Sequence, residues 1–170
     1  HLASGESSAQ LFETDVEGTK TLVQAAAGSS VQQIIYLSHL DADKSSAFPV
    51  LRAKGLAEEH IHNGDIPYTI IRSSVVFGPE DNFTTTISRL AQISPGVIFL
   101  PNKGETYLQP LWVEDLVTCL LWSLKTPNWK TKYTQLVGVS ILRYAKFLKL
   151  FWQQPIEKNS SCLHQHRSCA

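Results

Sequence analysis

A short polar cluster after an apolar run contains the residue types that could bind a ligand. Residues 68–71 read YTII, which is typical of a strand buried on both faces of a parallel sheet. Arg72, Ser73 and Ser74 follow it, and Val75 leads on to a Gly-Pro break. Because ligands of open α/β sheets bind at the carboxyl ends of the strands, we predict that these residues face a ligand crevice.

Cysteine and histidine side chains near the C-terminus form a second candidate site. Thiolate and imidazole are the groups that zinc usually binds. However, their spacing matches no common zinc module, and a free tail rarely holds four ligands in a closed site. We therefore predict no metal at the cluster Cys162, His164, His166 and Cys169.

The composition limits the classes of function. A chain of 170 residues is expected to form one domain with its own core. Its 15 basic and 15 acidic residues balance, so charge gives no reason to expect a nucleic-acid partner. Three cysteines do not make a disulfide framework, and the apolar runs are shorter than the roughly 18 residues of a membrane span. We expect a cytoplasmic protein without a membrane span.

Helical and strand patterns alternate along the chain. Proline at position 49 suits the first turn of a helix, and glycine at position 28 suits a helix end. This alternation predicts an α/β fold with a doubly wound parallel sheet. The predicted helices cover residues 9–27, 49–63, 83–93 and 113–124; the predicted strands cover 33–38, 68–71, 96–100 and 133–137, with an extended segment at 107–112.

Four motifs in order resemble one protein family. HLAS at the start looks like the end of that family's fourth strand, and TDVEGTKTLVQAA resembles its N-V-x-G-T-x-N-L-L-x-A-A helix. IIYLSHLDA with FPVLRAKGLAEE resembles Y-L-S-S-L-G-A and the Y-x-x-x-K helix. YTIIRSSVVFGPEDNF and YLQPLWVEDLV resemble I-L-R-P-S-x-V-F-G-P and F-Q-P-V-x-V-x-D-V. Over residues 1–135 the chain thus resembles the extended and atypical short-chain dehydrogenase/reductases, closest to the epimerase-like branch with NmrA-type members.

The resemblance implies a Rossmann-like NAD(P)-binding fold of which the C-terminal half is present. The family places the pyrophosphate of NAD or NADP on a glycine-rich turn, and no G-x-x-G-x-x-G occurs here. Two βα units, on the order of 60 residues, are therefore expected before His1. The chain also has no methionine. We expect an N-terminally truncated fragment with weak or no cofactor affinity of its own.

The resemblance also allows the family's catalytic set to be checked. Its reductases use a tyrosine as general acid, a lysine four residues later, a Ser or Thr that orients the substrate, and an Asn. Lys54 matches the lysine, which leaves it as the predicted catalytic residue. Val50, Leu40 and Asp15 stand at the other three positions. The tyrosine's phenol, with a pKa of about 10, is tuned to act near neutrality, whereas Val50 has no proton to give.

Two interpretations remain open. The parent protein either binds NAD(P) without reducing anything, as regulators and assembly factors do, or is an enzyme that acts on an unidentified small-molecule substrate through other groups. The missing tyrosine favours the first. Simpler roles also exist for the candidate residues, namely a solvated helix lysine, a hydroxyl bonded to the backbone, and a turn at a strand end. The cofactor-binding residues that the resemblance implies are Ala3, Ser38, Lys54, Ser73, Ser74 and Val75.

The family pattern ends after Gln135. When residues 135–154 are back-translated and read from the third base of each codon, the permitted triplets include a string that resembles the family's next segment, from I-G-G to R-E-I. We predict that residues 136–170 are an atypical tail translated out of frame. In that case the Cys/His cluster is accidental, and the coding DNA tests the prediction directly.

Overall fold

The computed structural model describes residues 8–93, 101–125, 132–138, 141–143 and 146. The predicted strand at 96–100, Ala3 and the Cys/His cluster lie outside these residues. The chain divides into two compact units. The first comprises residues 1–74 and 114–137, and the second comprises residues 75–113 and 138–170.

Helices and strands alternate along the described residues, as the sequence predicted. A π-helical turn at Glu13–Glu17 and a 3₁₀ turn at Pro101–Gly104 interrupt the pattern. The remaining elements, in chain order, are α1 (Ser8–Phe12), α2 (Gly18–Ala27), β1 (Ile34–His39), α3 (Pro49–His62), β2 (Tyr68–Ser73), β3 (Val76–Phe77), α4 (Asn82–Ile93), β4 (Tyr107–Leu108), β5 (Leu111–Trp112), α5 (Val113–Lys125), β6 (Lys132–Leu136) and β7 (Leu142–Arg143).

The first unit contains a parallel sheet in the order β1-β2-β6. Ile34 of β1 lies opposite Tyr68, and the register continues to His39 opposite Ser73. The central strand β2 is buried on both faces, with Ile70 and Ile71 fully enclosed. This arrangement confirms the α/β class and the parallel sheet. It also shows that β2 runs two residues beyond the predicted end, so the polar residues 72 and 73 belong to the strand.

One face of this sheet carries the main core. Because side chains alternate along a strand, residues 34, 36 and 38 of β1 share a face with residues 68, 70 and 72 of β2. Helices α2 and α3 cover that face, and burial of each large aliphatic side chain contributes about 1.5–3 kcal/mol. The buried members of this cluster are Val23, Ala26, Ile34, Ile61, Ile66, Tyr68 and Ile70.

The predicted helix over residues 9–27 contains one wider turn. The N–H of Gly18 donates to the carbonyl of Glu13, five residues earlier, which gives the π-helical turn. Thr19 Oγ1 donates to the carbonyl oxygen of Asp15 at 2.6 Å and so occupies a main-chain acceptor within that turn. Single π turns inside α-helices are frequent at functional sites. Asp15 lies at the centre of this turn and is therefore a candidate functional residue.

Helical spacing in the sequence groups Leu22 with the apolar residues of α2, and Val117, Leu121 and Leu124 with those of α5. This grouping predicts the wrong burial for all four residues, because each is exposed. Within α5, the buried positions are Leu116 and Ser123. On each helix the apolar residues cover a wider face than the one that packs against the core. Helical spacing therefore overestimates the number of buried residues.

The second unit has two short strand pairs. β3 pairs with β5 in parallel, and β4 pairs with β7 antiparallel. The predicted extended segment at 107–112 is split at Gln109 and Pro110, where the carbonyl of Gln109 accepts from the N–H of Gly138. Asp81 caps α4, since its Oδ1 accepts from the N–H of Thr84 at 2.6 Å. In the part of the chain that the structure describes, no helix is long and apolar enough to cross a membrane.

The loop between β1 and α3 lies directly on α3. The N–H of Asp43 donates to the carbonyl of Leu51 at 3.2 Å, and Lys44 forms an ion pair with Glu59 at 2.6 Å. Hydrogen bonds from Ser45 lower the pKa of the Asp43 carboxyl and fix the turn. This close approach requires glycine at position 55, because a Cβ there would lie 2.5 Å from the carbonyl carbon of Asp43 and closer still to the nitrogen of Lys44.

The contact between the loop and α3 yields a first prediction. Gly55→Ala forces the loop off the helix and is expected to lower the free energy of unfolding by about 1–3 kcal/mol, as overpacking does. Chemical denaturation followed by circular dichroism measures this change. Gly28→Ala is the control, because nothing lies within 4 Å of its added Cβ. Equal effects of the two substitutions would contradict the close packing of the loop.

Candidate functional site

The carboxyl ends of β1 and β2 are joined by hydrogen bonds through their serines. Ser73 Oγ donates to the carbonyl oxygen of Ser38 at 3.4 Å, and the N–H of Leu40 donates to the carbonyl oxygen of Ser73 at 3.0 Å. The N–H of Ser74 donates to the carbonyl of Leu136 at 3.0 Å, which extends the connection to β6. The polar residues thus lie at the strand ends, where the sequence predicted a ligand crevice.

Ser38 has an unusual environment at this edge. Its side chain is 4% exposed, and its Oγ has no hydrogen-bond partner among the described residues. A buried hydroxyl without a partner costs about 1–3 kcal/mol relative to a bonded one. Such a group is typical of a place where a ligand or an ordered water completes the hydrogen bonding.

Lys54 of α3 lies over the same face of β1. Its Nζ is 3.5 Å from Oδ1 of Asp15 in the π-helical turn. The ammonium also stands 5.1 Å from the ring centroid of Tyr36, within the range of a cation–π interaction. Both charged side chains are largely buried, at 19% exposure for Lys54 and 18% for Asp15. Oδ2 of Asp15 and the hydroxyl of Tyr36 make no hydrogen bond within the described part of the chain.

Tyr36 is held in its neutral form. Burial raises the pKa of its phenol well above the ordinary value, and the carboxylates of Asp15 and Glu58 raise it further. A phenol with a raised pKa gives up its proton less readily. Tyr36 therefore acts as a hydroxyl group and as a ring beneath Lys54.

A second ion pair lies further along α3. Arg72 of β2 holds Glu58 with two hydrogen bonds, from Nε to Oε1 at 3.0 Å and from Nη2 to Oε2 at 2.5 Å. The Glu58 side chain is 4% exposed, and its hydrogen bond raises the pKa of Arg72. The guanidinium also lies 5.5 Å from the ring centroid of Tyr133 on β6. Arg72 was predicted to face the crevice, and this prediction is wrong because the side chain is committed to Glu58.

The sequence missed the partners of Lys54 and Arg72. Asp15 was noted only as a substituted asparagine, Tyr36 only as part of the motif IIYLSHLDA, and Glu58 only as part of the motif FPVLRAKGLAEE. One signal was available for Glu58, because it lies between Ala57 and Ile61 on a helix face that is otherwise apolar. A carboxylate at such a position is rarely buried without a cationic partner. The π-helical turn that aims Asp15 at Lys54 had no sequence signal that we can identify.

Comparison with curated proteins finds relatives of two kinds, and no family model matches the chain. The mitochondrial NADH dehydrogenase [ubiquinone] 1 alpha subcomplex subunit 9 of Dictyostelium discoideum is 29% identical over 122 residues, which are 71% of this chain and 33% of that protein. The photosystem II assembly factor Ycf39 of Cyanophora paradoxa is 31% identical over 64 residues, 38% of this chain and 20% of the relative. The chain therefore spans about a third or less of the length of these relatives.

Solved structures give a consistent picture of the fold. A UDP-glucuronic acid 4-epimerase from Bacillus cereus, in complex with UDP-glucuronic acid and NAD, matches with a TM-score of 0.67 and 20% identity over 84% of this chain and 53% of the epimerase. A short-chain dehydrogenase/reductase superfamily protein from Agrobacterium tumefaciens, with bound NAD, matches with a TM-score of 0.65 and 18% identity over 86% of this chain and 60% of its own. These matches show that the chain has the Rossmann-like α/β fold of NAD-binding epimerases and short-chain dehydrogenase/reductases.

The position that the resemblance gives to the catalytic tyrosine is Val50, and its surroundings are apolar. Val50 packs into a small apolar cluster formed by Leu11, Val16 and Ala53. Lys54, one turn later on α3, points instead to Asp15 and Tyr36. Of the two positions that the resemblance singles out on α3, the one with lysine thus has polar neighbours, and the one with valine packs against an apolar cluster.

The other predicted cofactor residues have different placements. Four of them belong to the first unit: Ser38 and Ser73 lie near the carboxyl ends of β1 and β2, Ser74 follows β2, and Lys54 lies on α3. Val75 belongs to the second unit, where its carbonyl accepts from the N–H of Leu111 at 2.8 Å. Ala3 lies outside the described residues, so its predicted role stays a prediction.

The buried Glu58 yields a second prediction. Glu58→Gln leaves the guanidinium of Arg72 without its anionic partner and is expected to lower the free energy of unfolding by about 3 kcal/mol. Glu59→Gln is the matched control, because it removes the exposed neighbouring carboxylate, which pairs with Lys44 at the surface. Urea denaturation of both variants measures the difference. A Glu58→Gln variant as stable as Glu59→Gln would show that the buried pair does not hold α3 to β2.

The buried phenol yields a third prediction. The folded state holds the Tyr36 proton more tightly than the unfolded chain does, so stability falls as the pH rises above about 10. Tyr36→Phe removes this titration, and the decline of the unfolding free energy at alkaline pH is expected to become shallower. Denaturation at a series of pH values measures the slope, with the exposed Tyr107→Phe as control. Identical slopes for wild type and Tyr36→Phe would contradict the burial of the phenol.

Proposed function

We propose that this chain forms the ribose and nicotinamide side of an NAD(P) site and that the site binds the dinucleotide without reducing a substrate. The observation that carries the proposal is Lys54, which stands in the lysine position of the superfamily motif above a strand whose buried Ser38 hydroxyl has no partner among the described residues. An ammonium and a buried hydroxyl are the polar groups that a ribose and a carboxamide can use. The residues present thus fit this half of the cofactor.

The roles of individual residues follow from their chemistry. Lys54 would donate hydrogen bonds to the hydroxyls of the ribose, and Ser38 would complete its hydrogen bonding on the ligand. Ser73 and Ser74 would support the strand ends on which the ligand rests, through the bonds to Ser38 and Leu136. When bound, NAD(P) supplies a hydride carrier. The chain's own residues only bind and orient it.

The absence of a proton donor at the family's position supports binding without reduction. A reductase needs an acid near the acceptor carbonyl. Val50 lies in an apolar cluster, Leu40 has no hydroxyl, and the pKa of Tyr36 is raised by burial, which disfavours release of its proton. NAD and NADP are not distinguished here, because the residue that selects between them follows the glycine-rich turn in proteins of this fold.

A regulator or assembly factor that keeps the fold without the chemistry is the alternative. The curated relatives support it by their names, which describe a subunit of an NADH dehydrogenase and a photosystem II assembly factor. In that case protein partners, rather than a small-molecule substrate, carry the function. The mitochondrial names of several relatives also leave the expected cytoplasmic location as a prediction.

Saturation-transfer difference NMR with NAD⁺ tests the proposed function, because this method detects weak ligands. Saturation is expected at the nicotinamide and its ribose protons and less at the adenine, and Lys54→Met is expected to reduce the signal at least about threefold through loss of the ammonium. Lys44→Met is the matched control, since it removes an exposed lysine that pairs with Glu59. Equal signals from wild type and Lys54→Met, or a signal confined to the adenine, would contradict the proposal.

A further inference from the structure

The charges around Lys54 cancel within the protein. Asp15 lies 3.5 Å from its ammonium, and the next ion pair on the same helix, Glu58 with Arg72, is also closed. These two cations and two anions give no net charge, and Tyr36, whose pKa is raised by burial, stays neutral between them. Lys54 is therefore a cation whose attraction for an outside anion is already offset.

This cancellation affects what can bind at Lys54. At a few ångströms, a single unbalanced positive charge near a protein surface attracts an anion more strongly than it would in bulk water, because the effective dielectric constant is lower there. The carboxylate of Asp15 removes most of that attraction, because it repels an anion from nearly the same position. The carboxylate does not weaken the binding of a neutral hydroxyl, because a hydroxyl can donate a hydrogen bond to a carboxylate and accept one from an ammonium.

The free atoms at this place suit a hydroxyl. Oδ2 of Asp15 is a buried acceptor without a hydrogen-bond partner among the described residues, and so is the hydroxyl oxygen of Ser38. Ser38 is more than nine-tenths buried. The Lys54 side chain retains 19% exposure. The ammonium of Lys54 is thus a positively charged donor that lies beside a negatively charged acceptor, the carboxylate of Asp15.

We propose that Asp15 is the specificity-determining residue of this site. Its carboxylate makes Lys54 bind an uncharged hydroxyl-bearing group and not phosphate. This inference rests on the proposed function for the identity of the ligand, and it adds the reason why the lysine takes a sugar rather than an anion. Asp15 acts through Lys54 by charge and position. The π-helical turn, stabilised by the bond from Thr19 to the Asp15 carbonyl, holds the carboxylate at this distance.

The test compares binding of inorganic phosphate by variants of the full chain. In ¹⁵N-labelled protein, phosphate is expected to leave the amide signal of Lys54 unchanged in the wild type. Asp15→Asn keeps the size of the side chain but frees the ammonium, and phosphate is expected to bind it at least about tenfold more tightly than it binds the wild type. Asp15→Glu retains the charge and is expected to behave like the wild type.

A double variant ties the gained binding to the lysine. Asp15→Asn combined with Lys54→Gln is expected to lose the phosphate response. Phosphate binding by the wild type as tight as by Asp15→Asn would overturn the inference, and so would a folded Asp15→Asn variant with no gain. If Asp15→Asn fails to fold, the wild type alone decides: adenosine, an uncharged ribonucleoside, is expected to shift the Lys54 signal, and a shift by phosphate instead would overturn the inference.

The two proposals fail in different ways. If the proposed function is wrong, NAD⁺ shows no Lys54-dependent saturation transfer, whereas the gain of phosphate binding on Asp15→Asn still appears. If the inference about Asp15 is wrong, NAD⁺ binding still depends on Lys54, but the phosphate affinities of wild type and Asp15→Asn are equal. Circular dichroism of each variant confirms that the comparison is made between folded proteins.

Discussion

The bidentate ion pair between Glu58 and Arg72 is the interaction on which the first unit depends. It joins α3 to the central strand β2, and the ring of Tyr133 on β6 lies against the same guanidinium. A carboxylate that is 4% exposed would be costly to bury if it were not held by two charge-assisted hydrogen bonds. Helix and sheet are thus held in one orientation, and that orientation brings Lys54, one turn earlier on α3, over Tyr36 of β1.

From this arrangement a polar cluster follows on the face of β1 that is otherwise apolar. It joins Asp15 from the π-helical turn, Lys54 from α3 and Tyr36 from β1. Ser38 lies two residues beyond Tyr36 on the same face of β1. Several polar atoms of these residues lack partners among the described residues, which is a cost that the fold carries at this place. Functional sites are where local rules of polar satisfaction are expected to be broken.

Much of the fold could be predicted from residue patterns, and the exceptions have physical reasons. The YTII run, the Pro49 start and the Gly28 end predicted their elements because each reflects a strong local preference. Arg72 was assigned to the crevice because strand ends carry ligand-binding residues, but its guanidinium donates to the carboxylate of Glu58 on the neighbouring helix α3. Lys54 was found through the motif, whereas its pairing with Asp15 depends on a π-helical turn and on helix packing. These are tertiary effects that periodicity does not contain.

The most direct test of this account is to map NAD⁺ binding on the ¹⁵N-labelled chain by chemical-shift perturbation. We expect the perturbed amides to be those at the end of β1, around Lys54 on α3, and at Ser73 and Ser74, since these residues form the proposed ribose and nicotinamide side of the site. Perturbation confined to the second unit, or spread evenly over the surface, would contradict it.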